Sequence, residues 1–169
     1  GVCTPQQLGG NQEFISAIGY YASLAQQILG RSFLHYLNPK KYIALEKQYT
    51  KPTEAQIILG SFMFFRKEDF DAIGGFDTNL FLYHEETDTC LRLKRMLGKK
   101  TMLLPNHTYI HYQAQSTGKN IMTKIELKLS LLYVLAKHYG FWTRWIILNL
   151  DRIHYLFRPK YYKLLQKLT

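Results

Sequence analysis

Acidic residues are few in this sequence, and cysteine, proline and unbroken apolar runs are fewer still. Twelve Asp and Glu stand against 22 Lys and Arg in 169 residues, a formal net charge of +10. The surplus sits at one end, because residues 119–169 hold ten basic side chains against only Glu126 and Asp151, leaving the first 118 residues at +2. Two cysteines far apart, Cys3 and Cys90, exclude a disulfide scaffold and a cysteine-ligated zinc site. They suit a reducing compartment, with Cys90 read as a core thiol. The longest apolar runs, Leu129 to Ala136 and Trp145 to Leu150, fall well short of the roughly 20 residues a membrane span needs, so none is expected. The opening Gly1-Val2-Cys3-Thr4-Pro5 has no initiator methionine and no helix or strand signal, and the chain is expected to be a piece of something longer. What is present is 47% hydrophobic residues, enough for the core of one globular domain.

Apolar positions Phe14, Ile15, Ile18, Tyr21, Leu24, Ala25 and Ile28 recur at three and four, predicting a helix over 11–29 closed by Gly30. Residues 31–52, basic and aromatic without a period, read as a connection. Glu54 to Arg66 is a continuous apolar run, predicting one strand buried on both faces, and Gly60 inside it predicts the close approach of another group. A short helix over Lys67–Ile73 stops at Gly74-Gly75. Its Asp69-Phe70-Asp71 matches the bare Asp-x-Asp pattern of metal-dependent sugar transferases, but reads as first-turn acids favoured by the helix dipole.

A helix over Glu85–Leu97 follows, with Cys90, Leu93, Met96 and Leu97 on one face, Arg92, Lys94 and Arg95 on the other, and Gly98 as its stop. Thr101–Leu104 and Thr108–Tyr112 read as strands around a Pro105-Asn106 turn. Helices are expected over 121–139, with Ile125, Leu129, Leu132, Tyr133 and Ala136 as the inner stripe, over 141–157, and in a short final piece beyond Arg158-Pro159.

The chemistry concentrates at His84-Glu85-Glu86-Thr87-Asp88, where four ionisable side chains fall within five positions. Carboxylates so close repel one another, and a metal, a bound cation or a raised pKa is needed to hold them unless water screens them. The simpler reading is an acid-rich helix start.

From Leu59 to Thr117 the sequence resembles the second half of family-2 glycosyltransferases, especially bacterial rhamnosyltransferase-like enzymes of surface polysaccharide assembly. The resemblance rests on Gly60-Ser61-Phe62-Met63, Arg66-Lys67, Phe70, Ile73-Gly74-Gly75-Phe76-Asp77, Leu80-Phe81-Leu82-Tyr83, Glu85-Glu86-Thr87-Asp88, Cys90-Leu91-Arg92, Gly98, Pro105, and His111 followed by Ser116-Thr117. Ser130-Leu131-Leu132-Tyr133 and Ala136-Lys137-His138-Tyr139-Gly140 extend it into the tail. It implies an α/β fold: the C-terminal, acceptor-binding half of a GT-A fold with a partial mixed sheet, followed by an α-helical tail. Residues 1–54 would be a connecting segment with one helix, 55–118 the acceptor and catalytic half, and 119–169 a basic amphipathic tail. The family's nucleotide-binding half, which ends in a metal-binding Asp-x-Asp, has no counterpart before Ala55, so about the first hundred residues are expected to be missing and the fragment inactive alone.

By the same resemblance, Glu86 takes the position of the catalytic base, usually Asp, with Glu85 and Asp88 beside it as catalytic acids that hold the acceptor or fix the helix start, Asp88 being wholly structural in one reading. Gly60, Ser61, Gly75 and Phe76 line the acceptor, and His111 faces a Mn²⁺ or Mg²⁺ ion. The implied reaction transfers a sugar, rhamnose among the options, from a nucleotide-diphosphate donor to a saccharide or lipid-linked acceptor with inversion. The expected location is cytoplasmic, peripheral on the inner face of the cell membrane, with the basic, Trp-bearing tail against an anionic membrane surface. Self-association of an incomplete sheet is expected too. The rival readings are a non-catalytic basic module for membrane or nucleic acid, against which the helical placement of the basic surplus speaks, and a metal-dependent hydrolase built on Glu85, Glu86, Asp88 and His111. No nucleic-acid partner is expected.

Overall fold

The computed structural model describes residues 1–112 and 121–156. Its elements are β1 (Val2–Leu8), β2 (Ile18–Gly19), α1 (Leu24–Leu29), α2 (Arg31–Leu37), β3 (Thr53–Ala55), β4 (Ile57–Ile58), β5 (Phe64–Phe65), α3 (Lys67–Ala72), α4 (Glu85–Leu97), β6 (Thr101–Ile110), α5 (Ile121–Tyr139) and α6 (Phe141–Leu156). The main sheet runs β3-β6-β1-β5, and β2 and β4 form a separate pair. Because β1 and β6 are parallel while β3 and β5 run antiparallel to them, the sheet is mixed. This agrees with the expected α/β class, partial mixed sheet and C-terminal helices.

The opening residues, expected to form nothing regular, supply a central strand. Val2, Thr4, Gln6 and Gln7 are buried in it, so its inward face is largely polar and carries no hydrophobic alternation to read. The ladder shifts register between Pro5 and Gln6, where Leu104 and Thr108 are the successive partners and Pro105 to His107 bulge out. Each strand places a proline at the break, where a residue without an N–H costs no ladder bond. The predicted turn at Pro105-Asn106 is therefore a bulge within one strand.

The single strand expected over Glu54–Arg66 is also corrected. The run is divided among three partners: β3 pairs with β6, β4 with β2, and β5 with β1. Gln56 marks the first change of sheet, its side chain accepting from the Tyr21 amide (2.9 Å) and donating to the Lys41 carbonyl (2.9 Å). The helix expected over 11–29 shrinks to α1, whose N-cap Ser23 accepts from the Gln26 amide. Before it the chain is extended, with Ile18, Tyr20 and Ala22 buried at the period of two that a strand requires. Residues 31–52, expected to be irregular, contain α2.

From α3 onward expectation and structure converge. α4 has the expected bounds, and the amides of Gly98, at φ +62°, and Lys99 close its last turn on the Lys94 and Leu93 carbonyls. Cys90 and Leu93 enter the core with Ile58 and Leu103, whereas Met96 is 58% exposed. Helix α5 turns Ile125, Ser130, Leu131, Leu132, Val134 and Leu135 inward, so its buried face is rotated from the predicted stripe and Leu129 lies outside. Gly140, at φ +86°, separates α5 from α6. The expected final helix, and Ser116-Thr117, lie outside the described residues.

Candidate active site

The acidic cluster is positioned by the connection from α3 to α4. Gly74 and Gly75 take positive φ (79° and 71°), a backbone that favours glycine. Asp77 then folds the chain back, its Oδ1 accepting from the Asn79 amide at 2.9 Å. Tyr83 and His84 are both left-handed, at φ 68° and 65°, immediately before α4. Two consecutive non-glycine residues in that region store strain of about 1–2 kcal/mol each. His84 therefore enters the helix as an N-cap without a side-chain cap bond. Its burial, with Lys128 nearby, lowers its pKa to about 4, so the imidazole is neutral near pH 7.

The strained loop is tied from behind. Asp88, 0% exposed, accepts from Arg92 Nε (2.8 Å) and pairs with His138 Nε2 (2.7 Å) and Lys137 Nζ (2.7 Å). Burial alone would raise its pKa, but the bonds from His138, Lys137 and Arg92 outweigh that and hold it at about 2. Arg92 Nη1 donates onward to the carbonyls of Ile73 and Gly75. Lys137 also reaches Asp77 Oδ2 (2.6 Å), which accepts from the Tyr133 hydroxyl (2.8 Å), and Ser130 Oγ donates to the Leu82 carbonyl (2.8 Å). Helix α5 thus grips the loop at Asp77 and Leu82, and the head of α4 at Asp88. The geometry makes Asp88 a brace; it leaves Glu85 and Glu86 as the acids not consumed by this network.

Those two carboxylates meet Gly60. A Cβ at Gly60 would lie 3.1 Å from Glu85 Oε1 and 3.9 Å from Glu86 Oε2, which accounts for the glycine that the sequence singles out. Glu86 has its pKa raised to about 7, first by burial and then by the charge of Glu85. Glu85 Oε2 is buried with no hydrogen-bond partner. Beyond Gly60, the Ser61 hydroxyl (3.2 Å) and the Tyr109 hydroxyl (2.9 Å) both reach Gln7 Oε1, with the two hydroxyl oxygens 2.7 Å apart, so two protons are shared around this triangle. The turn after β4 is thereby pinned to β1 and β6. Phe76 stands edge-on to Phe65 and Phe70 and remains half exposed beside Gly75.

The structure therefore brings Glu85, Glu86 and Gly60 together, with Ser61 one residue beyond. Gly75 and Phe76 belong to the loop that Arg92 holds. His111 is half-buried and its amide donates to the Leu8 carbonyl (2.8 Å), continuing the β1–β6 pairing. Among the described residues no group of three or more His, Cys, Asp or Glu side chains converges on a common point. A lone imidazole is not a donor set for Mn²⁺ or Mg²⁺, which favour several oxygen ligands. These residues alone do not fit such an ion. Gln7, Tyr109, Tyr133, Lys137 and His138 do work that local sequence reading did not assign; only Arg92, four residues after Asp88, had a readable signal.

Gly60→Ala tests the contact at the acid pair. The new methyl meets the mobile end of Glu85 rather than backbone, so the fold survives while the Glu85 carboxylate beside Glu86 shifts. Any reaction that uses this acid pair is expected to slow about tenfold or more, since sub-ångström misplacement of reacting groups is costly. Initial rates beside a thermal melt check this, with an unchanged melt expected.

No family model and no solved structure matches the chain. Relatives of known activity do match. Over 106 residues it is 35% identical to rhamnosyltransferase WbbL of Escherichia coli (strain K12), covering 59% of this chain and 36% of the relative. Over 111 residues it is 27% identical to N-acetylglucosaminyl-diphospho-decaprenol L-rhamnosyltransferase of Mycobacterium tuberculosis (strain ATCC 25618 / H37Rv), covering 62% of this chain and again 36% of the relative. The matched part thus spans little more than a third of each relative's length. The chain is related to part of bacterial rhamnosyltransferases, enzymes of the glycosyltransferase type.

Proposed function

We propose that this chain carries the acceptor side of a glycosyltransferase active site and that Glu86 is its general base. The observation that supports the reading above all is Glu86 itself: a half-buried carboxyl with its pKa raised to about 7, standing with Glu85 against the one residue of its turn that has no side chain. A base is most effective when its pKa lies near the working pH. In the proposed step the Glu86 carboxylate takes the proton of an acceptor hydroxyl. The hydroxyl oxygen forms a bond to the anomeric carbon of a nucleotide-diphosphate sugar as that carbon's bond to the diphosphate breaks, and the electron pair leaves with the diphosphate. One displacement of this kind inverts the anomeric centre.

Gly60 leaves room for a sugar to approach the backbone, and Phe76 offers it an apolar face. Since the relatives are rhamnosyltransferases, rhamnose is the proposed sugar, and the name of the mycobacterial relative points to a saccharide on a polyprenyl diphosphate as acceptor. The anomeric configuration of the product, read by NMR from a reaction of the polypeptide carrying this chain, tests the step. An inverted linkage is expected; a retained one would overturn single displacement with Glu86 as base.

A further inference from the structure

Five lysines line one cavity of about 520 Å³, a volume within the roughly 300–1,000 Å³ of small-molecule sites. They arrive from three places in the chain: Lys40 and Lys41 from the turn after α2, Lys94 from the end of α4, and Lys99 and Lys100 from the step between α4 and β6. Neighbouring acids account for only two of them. Lys100 pairs at 3.0 Å with Glu54, the one acid among the described residues that line the cavity, and Lys99 leans toward Asp69 at 3.6 Å. Lys40, Lys41 and Lys94 have no carboxylate partner among the described residues; Lys41 and Lys94 lie instead over the rings of Tyr42 (5.1 Å) and Tyr21 (5.6 Å). A lysine in the last turn of a helix also complements the helix dipole, which explains Lys94 but not Lys40 and Lys41, which belong to another element. Like charges gathered without counter-charge repel one another, and a cleft lined by one sign focuses that potential on whatever enters it. The wall that carries them is held in place, because Gln56 accepts from the Tyr21 amide and donates to the Lys41 carbonyl, tying the lysine turn to Tyr21.

We propose that this cavity is a binding site for a small soluble anion carrying two linked phosphates. Three lysines without a carboxylate exceed what a single phosphate, of charge about −2, would neutralise. Their ammonium groups are compact point charges with rotatable donors, suited to phosphate oxygens. The cavity is larger than a diphosphate group alone, and Tyr21, Ile43 and Ala55 give its remainder an apolar surface for the organic part of the molecule. The site is separate from the acid pair. Glu86 stands in the first turn of α4, whereas Gly98, its C-cap, lines the cavity; a rise of about 1.5 Å per residue from position 86 to position 98 puts them about 18 Å apart along the helix. An anion held here is therefore not the group that faces Glu86, and the proposal stands without the transfer reading.

Calorimetric titration of the protein with inorganic diphosphate, in metal-free buffer at low salt, should show a single saturable site that weakens as salt is raised. Lys40→Gln with Lys94→Gln should lower the affinity about tenfold or more, because each change removes a charge-assisted bond. Lys47→Gln with Arg144→Gln takes the same charge from residues that do not line the cavity and should leave the affinity nearly unchanged. Lys40 and Lys94 are exposed, so the first double variant should fold, and with like charges removed it should melt no lower than the wild type when no anion is present. Three results would overturn the proposal: no saturable binding at millimolar diphosphate; an equal loss of affinity in both double variants, which makes the attraction a property of overall charge; or sulfate at equal ionic strength binding as tightly as diphosphate, which reduces the contact to general counter-ion attraction.

Discussion

Glu86→Gln should lower kcat/KM for sugar transfer by about 10²- to 10⁴-fold, the usual contribution of a positioned general base, in the polypeptide that carries this chain. Glutamine keeps the shape and loses the proton acceptor, so binding of the nucleotide sugar should survive. The wild-type profile of kcat/KM should rise with pH through about 7, where Glu86 loses its proton. Replacing Glu85 by Gln removes the neighbouring charge that helps to raise that pKa, so the rising limb should move toward lower pH. A purely structural Glu86 would show no such limb.

Stability supplies a second readout of opposite sign. The folded pKa of Glu86 is about 7 against an ordinary value of 4.5, so ionisation is harder in the folded state. Its favourable contribution is therefore present below about 4.5 and lost as pH rises through 7. Glu86→Gln should melt like the wild type near pH 4 and at a higher temperature near pH 8. An inactive variant that is more stable than its parent at the working pH separates loss of chemistry from loss of fold. Near-normal turnover in Glu86→Gln would remove Glu86 from the base's role.

The parts of this architecture that sequence reveals are those whose causes are local. The limits of α4 follow from an acid-rich start and from Gly98, and the break between α5 and α6 from Gly140; both glycines take positive φ. The closeness of Gly60 to another group was readable because glycine in an apolar run has few other uses. What escaped depends on partners remote in sequence. Strand β1 is held by β6, about a hundred residues away, and its buried face is built from Thr4, Gln6 and Gln7, so no hydrophobic period marks it. The apolar run after Glu54 looks uniform in composition, although its three pieces pair with different neighbours and differ in burial, Ile57 and Ile58 being enclosed and Phe64 exposed. Asp88 shows the same limit at the site. A supporting role for it is readable from the sequence, but its partner is not, since only the folded chain brings His138, fifty positions on, to its carboxylate.

Asp88→Ala should therefore act on folding, and strongly. It would leave Arg92, Lys137 and His138 around a hole that had held their counter-charge, and removing one partner of a buried charge network costs about 3–5 kcal/mol. For a chain of this length that corresponds to a melting temperature lower by roughly 6–20 °C. Lys137 reaches solvent, which favours the lower part of that range. The pH dependence identifies the charge. With a folded pKa of about 2 against an ordinary 3.8, Asp88 contributes stability above about 3.8 that disappears as pH falls through 2, so wild type and variant should converge in acid. Because Lys137 serves Asp77 and Asp88 at once, the cost of Asp88→Asn combined with Lys137→Met should fall short of the sum of the single costs. Asp88→Asn, which keeps the shape, should retain much of its turnover per folded molecule, whereas Glu86→Gln should lose it while folded. That contrast assigns two acids in one turn of helix to different tasks: Glu86 to the proton, and Asp88 to the loop that carries Gly75 and Phe76.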